Sequence, residues 1–122
     1  MTPEHALMNT IMIWCGQHQY KCFRANVGLF YTARKASGTD EDWVQIGTGQ
    51  RMNFQKISTG LPEGFSDLFV IKPGGKVCFV ETKVHPRKPT SAQVDFIKAM
   101  QASGCNAGVA YTLDEAIAII EK

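Results

Sequence analysis

Residues 67–83 read DLFVIKPGGKVCFVETK, two short apolar runs joined by a segment that contains one proline and two glycines. Proline and glycine in such a segment are typical of a tight turn, and the flanking runs are rich in side chains that favour strands. We therefore predict an antiparallel hairpin with strands at 68–71 and 77–83. The second strand carries apolar side chains on both faces, so it is predicted to be buried.

Three charged side chains lie at the open end of this hairpin. Glu81 and Lys83 are two residues apart and therefore project from the same face of the strand. Asp67 precedes the turn centre, near residue 74, by as many residues as Glu81 follows it, which places the two carboxylates roughly 5 Å apart. Buried charges cost free energy unless they are paired or bind a metal, and two close carboxylates suit Mg²⁺ or Mn²⁺. The pattern predicts a functional site here, with a structural ion cluster as the alternative.

The rest of the sequence predicts an α/β fold with a mixed sheet flanked by helices. Thr2-Pro3-Glu4 has a capping residue, a proline and an acid in the order typical of a helix start. The predicted order is α-β-β-β-β-α-β-α in a single domain, residues 1–122. Its elements are a helix ending near 16, two strands within 20–34, the hairpin strands, a helix at 91–102, a strand at 107–111 and a helix ending at 120.

Residues 43–57 are the hardest to interpret, because no hydrophobic period is sustained there. They contain Trp43, Arg51, Met52, Phe54 and Lys56. Aromatic side chains mixed with arginine are typical of a DNA-facing or dimer-facing insertion. One more packed hairpin is the alternative, and the sequence leaves both open.

Composition excludes several classes of protein. A chain of 122 residues with 44% hydrophobic and 20% charged residues is neither disordered nor fibrous. No apolar run approaches the roughly 20 residues that span a bilayer, and no signal peptide is visible. The four cysteines lack metal-site spacing and are expected to be reduced, in the cytoplasm. A net charge of +2 is low for a cationic nucleic-acid binder, so any basic patch must be local.

Three motifs together resemble the PD-(D/E)xK nuclease superfamily and, within it, the stand-alone VRR-NUC domain, the virus-type replication-repair nuclease. They are GLPEGFSDL at 60–68, FVETK at 79–83 and SAQ at 91–93. The resemblance extends from Glu4 to the last helix and implies a restriction-endonuclease-like core. Ser66 stands where the superfamily pattern has proline, which affects only the expected shape of the local turn.

The resemblance also implies the roles of individual residues. Asp67 and Glu81 would be metal-binding carboxylates, Lys83 the catalytic lysine and Gln93 the helical glutamine near the active site. Glu4 would complete the metal site from the first helix. Two alternatives remain: Gln93 also fits a capping box that begins at residue 90, and Glu4 also fits a surface acid favoured by the helix dipole.

The implied DNA contacts are local and basic. The strand that carries Glu81 and Lys83 is followed by His85, Arg87 and Lys88. The stretch that contains Arg24 and Asn26 resembles the family's R-x-N-x-G motif. The position of the basic residues beside the carboxylates favours phosphate contact, and a solvated loop is the alternative.

The function implied by the resemblance is metal-dependent hydrolysis of DNA phosphodiester bonds, with Mg²⁺ or Mn²⁺ as the cofactor. Family members of this form are homodimers that act on branched DNA such as four-way (Holliday) junctions, which implies DNA repair in a bacterial or phage-infected cell. No membrane and no nucleotide cofactor is expected. The alternatives are a catalytically silent DNA-binding or assembly module, and a nuclease for flap, single-stranded or restriction-like substrates.

Overall fold

The computed structural model describes residues 1–25, 29–35, 43–46, 50–58 and 60–122, and within 29–58 it describes only the backbone of the strands. In chain order the elements are α1 (Pro3–Gln17), β1 (Lys21–Arg24), β2 (Leu29–Lys35), β3 (Trp43–Ile46), β4 (Gln50–Ser58), β5 (Leu68–Ile71), β6 (Val77–Thr82), α2 (Ser91–Ala102), β7 (Asn106–Ala110) and α3 (Leu113–Ile120).

The chain divides into two compact units. One consists of Met1–Asn26 with Glu63–Lys122, and the other of Val27–Pro62. The larger unit contains all three helices and every described residue of the predicted site. The prediction of one domain for the whole chain stays a prediction. Within the part of the chain that the structure describes, no helix is long and apolar enough to cross a membrane.

The larger unit is built on a four-stranded mixed sheet in the order β1-β5-β6-β7. Strands β1, β5 and β6 pair antiparallel, and β6 pairs parallel with β7. A parallel pair needs a crossover connection, and α2 supplies it between β6 and β7. The predicted α/β class with a mixed sheet and flanking helices is thereby confirmed.

The smaller unit contains a three-stranded antiparallel sheet in the order β2-β4-β3. The predicted order of elements is therefore wrong in one respect: six strands, not four, precede α2. The two additional strands, β3 and β4, lie in the stretch without a hydrophobic period and pair antiparallel, which agrees with the alternative of one more hairpin there. Backbone hydrogen bonds to neighbouring strands can specify a strand that shows no alternation of apolar side chains. The choice between a DNA-facing and a dimer-facing role for this stretch stays open.

Strand β6 separates two apolar clusters in the larger unit. Cys78 and Val80 contact the cluster on the side of α1 and α3, which includes Ile11 of α1 and Ile120 of α3. Phe79 contacts the cluster on the side of α2, together with Ile97 and Ala107. Burial on both faces confirms the prediction of a buried central strand, and it means that any polar side chain on β6 is taken out of water.

The hairpin of β5 and β6 has the predicted register. Leu68 pairs with Val80 and Ile71 with Val77, so Asp67, one residue before β5, lies opposite Glu81. The turn closes through a hydrogen bond from Lys72 N to Lys76 O of 2.8 Å. Gly74 and Gly75 adopt positive φ there, a conformation that side chains disfavour.

Gly64 brings the loop before Asp67 against the first turn of α2. Its φ is +89°, and a Cβ at this position would overlap the carbonyl group of Ala92. No residue with a side chain fits without a shift of the backbone. This close approach holds the loop that carries Asp67 next to the helix that carries Gln93.

We expect Gly64→Ala to destabilise the protein more than Gly74→Ala. Both glycines have a φ of +89°, but a Cβ at residue 74 meets nothing within 4 Å. The φ alone should cost about 1–2 kcal/mol, and the overlap at residue 64 should add at least about 1 kcal/mol. Chemical denaturation of the two variants measures the difference, and equal unfolding free energies would contradict it.

Candidate active site

The two predicted carboxylates meet at the open end of the hairpin. The Asp67 N–H donates to Glu81 Oε2 at 3.2 Å, which fixes the Glu81 side chain against the backbone of the opposite strand. Glu81 is only 1% exposed, whereas Asp67 is half-buried. The sequence prediction that these residues oppose each other is confirmed.

Gln93 joins helix α2 to the buried carboxylate. Its Nε2 donates to Glu81 Oε1 at 2.9 Å, and its Oε1 accepts from Thr90 N at 2.9 Å. Thr90 Oγ1 accepts in turn from Gln93 N, which completes the capping box. Gln93 therefore completes the capping box through its Oε1 and contacts Glu81 through its Nε2, and its catalytic role stays a prediction.

Thr82 holds the Asp67 carboxylate in place, and it was not among the predicted site residues. Its backbone N–H and its hydroxyl group both donate to Asp67 Oδ2, at 3.0 and 2.8 Å. Thr82 is fully buried and is the middle residue of the E-T-K motif. A threonine that follows a buried acid on a central strand was the available signal, because a buried hydroxyl group needs a partner.

Lys83 is the cation of the site. Its Nζ lies 3.7 Å from Glu81 Oε1, and its side chain is 12% exposed. A lysine at this distance offsets part of the negative charge of the pair, and its three N–H groups can also reach a ligand. The prediction that Glu81 and Lys83 share one face of the strand agrees with this ion pair.

Burial is the largest cause that raises the pKa of Glu81, and the charge and hydrogen bonding of the nearby Asp67 carboxyl group add to it, so that this pKa lies at about 8. Lys83 acts in the opposite direction but does not offset the burial. Two like charges in close contact favour one shared proton, unless a cation takes the place of that proton. The Glu81 carboxyl group therefore keeps its proton to a higher pH than an exposed glutamate does.

Ser66 precedes Asp67 at the position where the superfamily pattern has proline. Its side chain is fully buried, and among the described residues Oγ has no hydrogen-bond partner. Asp67 nevertheless reaches Glu81, so serine at this position does not displace the carboxylate.

Glu4 lies in the first turn of α1 and is half-buried. Thr2 caps this helix as predicted, its hydroxyl group accepting from His5 N at 3.2 Å. Glu4 precedes buried Met8 by one helical turn, on the stripe that continues to Ile11 and faces the sheet. Among the described residues, no group of three or more His, Cys, Asp or Glu side chains is arranged to hold a metal ion. The metal-binding role of Glu4 stays a prediction.

The predicted DNA contacts that are described lie near the same end of the sheet. Arg24 ends β1 opposite Leu68 and is exposed, and the next residue, Ala25, donates its N–H to Asp67 O at 2.8 Å. His85, Arg87 and Lys88 are exposed in the loop that follows β6. Asn26 lies outside the described residues.

Comparisons with protein-family models, with curated proteins and with solved structures found no match. The fold and the site define a small mixed α/β protein in which a buried glutamate faces a half-buried aspartate beside one lysine. The nuclease resemblance drawn from the motifs stays a prediction.

Glu81→Gln should change the pH dependence of stability in the metal-free protein. A carboxyl group whose pKa is raised by folding stabilises the fold fully below its unfolded value of 4.5, and that contribution is lost as the pH rises to about 8. The glutamine variant resembles the protonated acid, so it keeps this contribution to stability as the pH rises. The unfolding free energy of the variant minus that of the wild type should therefore rise between pH 5 and 8, by at most about 1.4 kcal/mol per pH unit.

Chemical denaturation in EDTA at several pH values measures this difference. The titration of groups that both proteins share contributes equally to the two unfolding free energies and cancels. A difference that stays constant from pH 5 to 8 would show that Glu81 titrates normally.

Proposed function

We propose that this chain is a divalent-metal-dependent DNA endonuclease with a restriction-endonuclease-like core, as a member of the VRR-NUC group. The observation that supports the proposal most directly is the buried Glu81, opposed by Asp67 and followed on the same face by Lys83. An arrangement that combines a buried glutamate with a facing aspartate and a lysine is costly for folding alone and suits a cation and a phosphate.

The donor set fits the proposed metal. Asp67 and Glu81 provide hard carboxylate oxygens, and Mg²⁺ in phosphate-processing sites is commonly held by one or two carboxylates with water and substrate phosphate. Both hydrogen bonds from Thr82 go to Oδ2 of Asp67, so neither of them occupies Oδ1. When bound, Mg²⁺ or Mn²⁺ supplies Lewis-acid activation of the phosphate and a more acidic water.

The residues of the chain would then orient the reacting groups. Gln93 and the Asp67 N–H keep the Glu81 carboxylate in one position, and Thr82 does the same for Asp67. Lys83 would align the attacking water or neutralise negative charge that develops on the phosphate oxygens. Because these donors are already in place, little reorganisation is needed when substrate binds.

The substrate and assembly are proposed from the family resemblance: branched DNA such as a four-way junction, a homodimer, and an intracellular role in DNA repair. A two-fold pair of sites could cut two strands of a symmetric junction. Arg87 and Lys88, which are exposed in the loop after β6, would contact phosphates beside the site.

The proposal is tested by cleavage of a panel of linear, nicked, flap, forked and four-way DNA with Mg²⁺, Mn²⁺ or EDTA. Asp67→Asn and Glu81→Gln should lower the cleavage rate by more than the roughly 100-fold that outer-shell changes can cost, and should leave DNA affinity within a few-fold. Asp95→Ala, which removes an exposed acid of α2, is the matched control and should cleave normally.

Metal-dependent cleavage that survives in either site variant would refute the assignment of the carboxylates. DNA binding without cleavage by the wild type under every condition would instead identify a silent DNA-binding module.

Thr82→Val should weaken metal binding without removing a ligand. The variant keeps the backbone N–H on Asp67 Oδ2 but loses the hydroxyl donor, so the carboxylate is held less firmly. We expect the Kd for Mn²⁺, measured by calorimetry on the DNA-free protein, to rise roughly 10-fold or more, and Thr82→Ser to restore it. Thr10→Val, which removes an exposed hydroxyl hydrogen-bonded to Ala6 O in α1, is the matched control.

An unchanged Kd in Thr82→Val would show that the backbone N–H alone is sufficient to position Asp67.

A further inference from the structure

An aromatic stack stands beside the proposed active site. The His85 ring lies on the Tyr111 ring, with 4.2 Å between the ring centroids and an angle of 14° between the planes. His85 is exposed, whereas Tyr111 is half-buried. A ring that is exposed while one of its faces is already stacked can offer its other face to a flat ligand.

The stack is held firmly. The Tyr111 hydroxyl group donates to Arg87 O at 2.8 Å, which ties the loop after β6 to the end of β7. The Tyr111 N–H donates to Glu115 Oε1 at 2.6 Å, in the first turn of α3. Because Tyr111 is fixed by hydrogen bonds at its hydroxyl group and at its backbone N–H, the ring on which His85 stacks is positioned before any ligand arrives.

The stack is also close to the end of β6, the strand that carries Glu81. The Lys83 N–H donates to Ala110 O at 3.0 Å, and Tyr111 follows directly. The chain segments that carry the lysine and the tyrosine are therefore about 5 Å apart, the spacing of neighbouring strands. A group stacked on His85 would lie next to whatever occupies the site of Asp67, Glu81 and Lys83.

We propose that the His85–Tyr111 stack binds an unpaired base of the DNA substrate next to the phosphate that is cut. This inference rests on the proposed nuclease function and names its substrate class: DNA with an unpaired nucleotide at the cleavage position. Every base has a face that stacks on an aromatic ring, but a base inside a duplex is covered by its neighbours. Only an unpaired or displaced base can use the platform.

The charges around the stack favour nucleic acid over a protein partner. Arg87 and Lys88 are exposed in the same short loop, and Lys83 lies at its start. Cations on either side of a stacking ring match the phosphates on either side of a base. Glu115 is an acid in contact with Tyr111. Its Oε1 accepts a hydrogen bond from the Tyr111 N–H, so this oxygen is already engaged.

A second histidine stack in the same protein provides a matched control. The His18 ring lies on Trp14 with 4.0 Å between centroids and an angle of 26°, and His18 is exposed. It caps the end of α1 just before β1 begins, and Lys21 of β1 pairs with Ile71 at the turn end of the hairpin. The two stacks thus share their chemistry but lie at opposite ends of the sheet.

The test measures binding to a duplex and to the same duplex with a three-base bubble, in Ca²⁺, by fluorescence anisotropy. His85→Ala should weaken binding of the bubble about 10-fold and change binding of the duplex less than about twofold. His85→Phe should restore the bubble affinity, and His18→Ala should alter neither. With 2-aminopurine in the bubble, the wild type and His85→Phe should quench its fluorescence and His85→Ala should not.

Equal losses on both DNAs in His85→Ala, or no recovery in His85→Phe, would overturn the inference and give His85 a structural or charge role. If the wild type cleaves DNA but its preference for the bubble does not depend on His85, base binding by the stack is refuted and the proposed nuclease function is not. If no DNA is cleaved and quenching still depends on His85, the proposed nuclease function is refuted and base binding by the stack is supported.

Discussion

A carboxylate cannot be buried without partners, and the buried Glu81 on β6 governs how the larger unit is assembled. Its two oxygens accept from the Asp67 N–H and from Gln93 Nε2, while Lys83 supplies the nearby positive charge. These donors come from the opposite strand, from α2 and from the end of β6. The loop before β5 and the start of α2 must therefore converge on one point, and Gly64 allows them to approach closely enough.

The parts of the site that could be predicted from the sequence are those set by local rules. A short turn fixes which residues of a hairpin face each other, so Asp67 and Glu81 could be placed opposite one another in advance. A threonine and a glutamine at capping-box spacing fix the start of α2 at residue 91. In both cases, few residues separate the groups that interact.

The parts that could not be predicted depend on contacts between segments distant in sequence. Tyr111 and His85 are brought together by the parallel pairing of β6 with β7, which no local pattern specifies. The hydrogen bonds of Thr82 to Asp67 lie within the same hairpin as Glu81, but the register of a hairpin does not specify which acceptor a buried hydroxyl group takes. Strands β3 and β4 could be offered only as one of two alternatives, because the sequence of this stretch shows no regular alternation of apolar side chains.

The turn at 72–76 lies at the far end of the hairpin from the carboxylates, and its length decides whether they meet. It sets the pairing of Leu68 with Val80, and through it that of Asp67 with Glu81. One inserted residue would advance one strand past the other by about 3.3 Å and reverse which face each later side chain occupies. A change in this turn would then separate the two carboxylates, although both residues are still present. For this protein the number of residues between Asp67 and Glu81 is as much a part of the site as the two acids themselves.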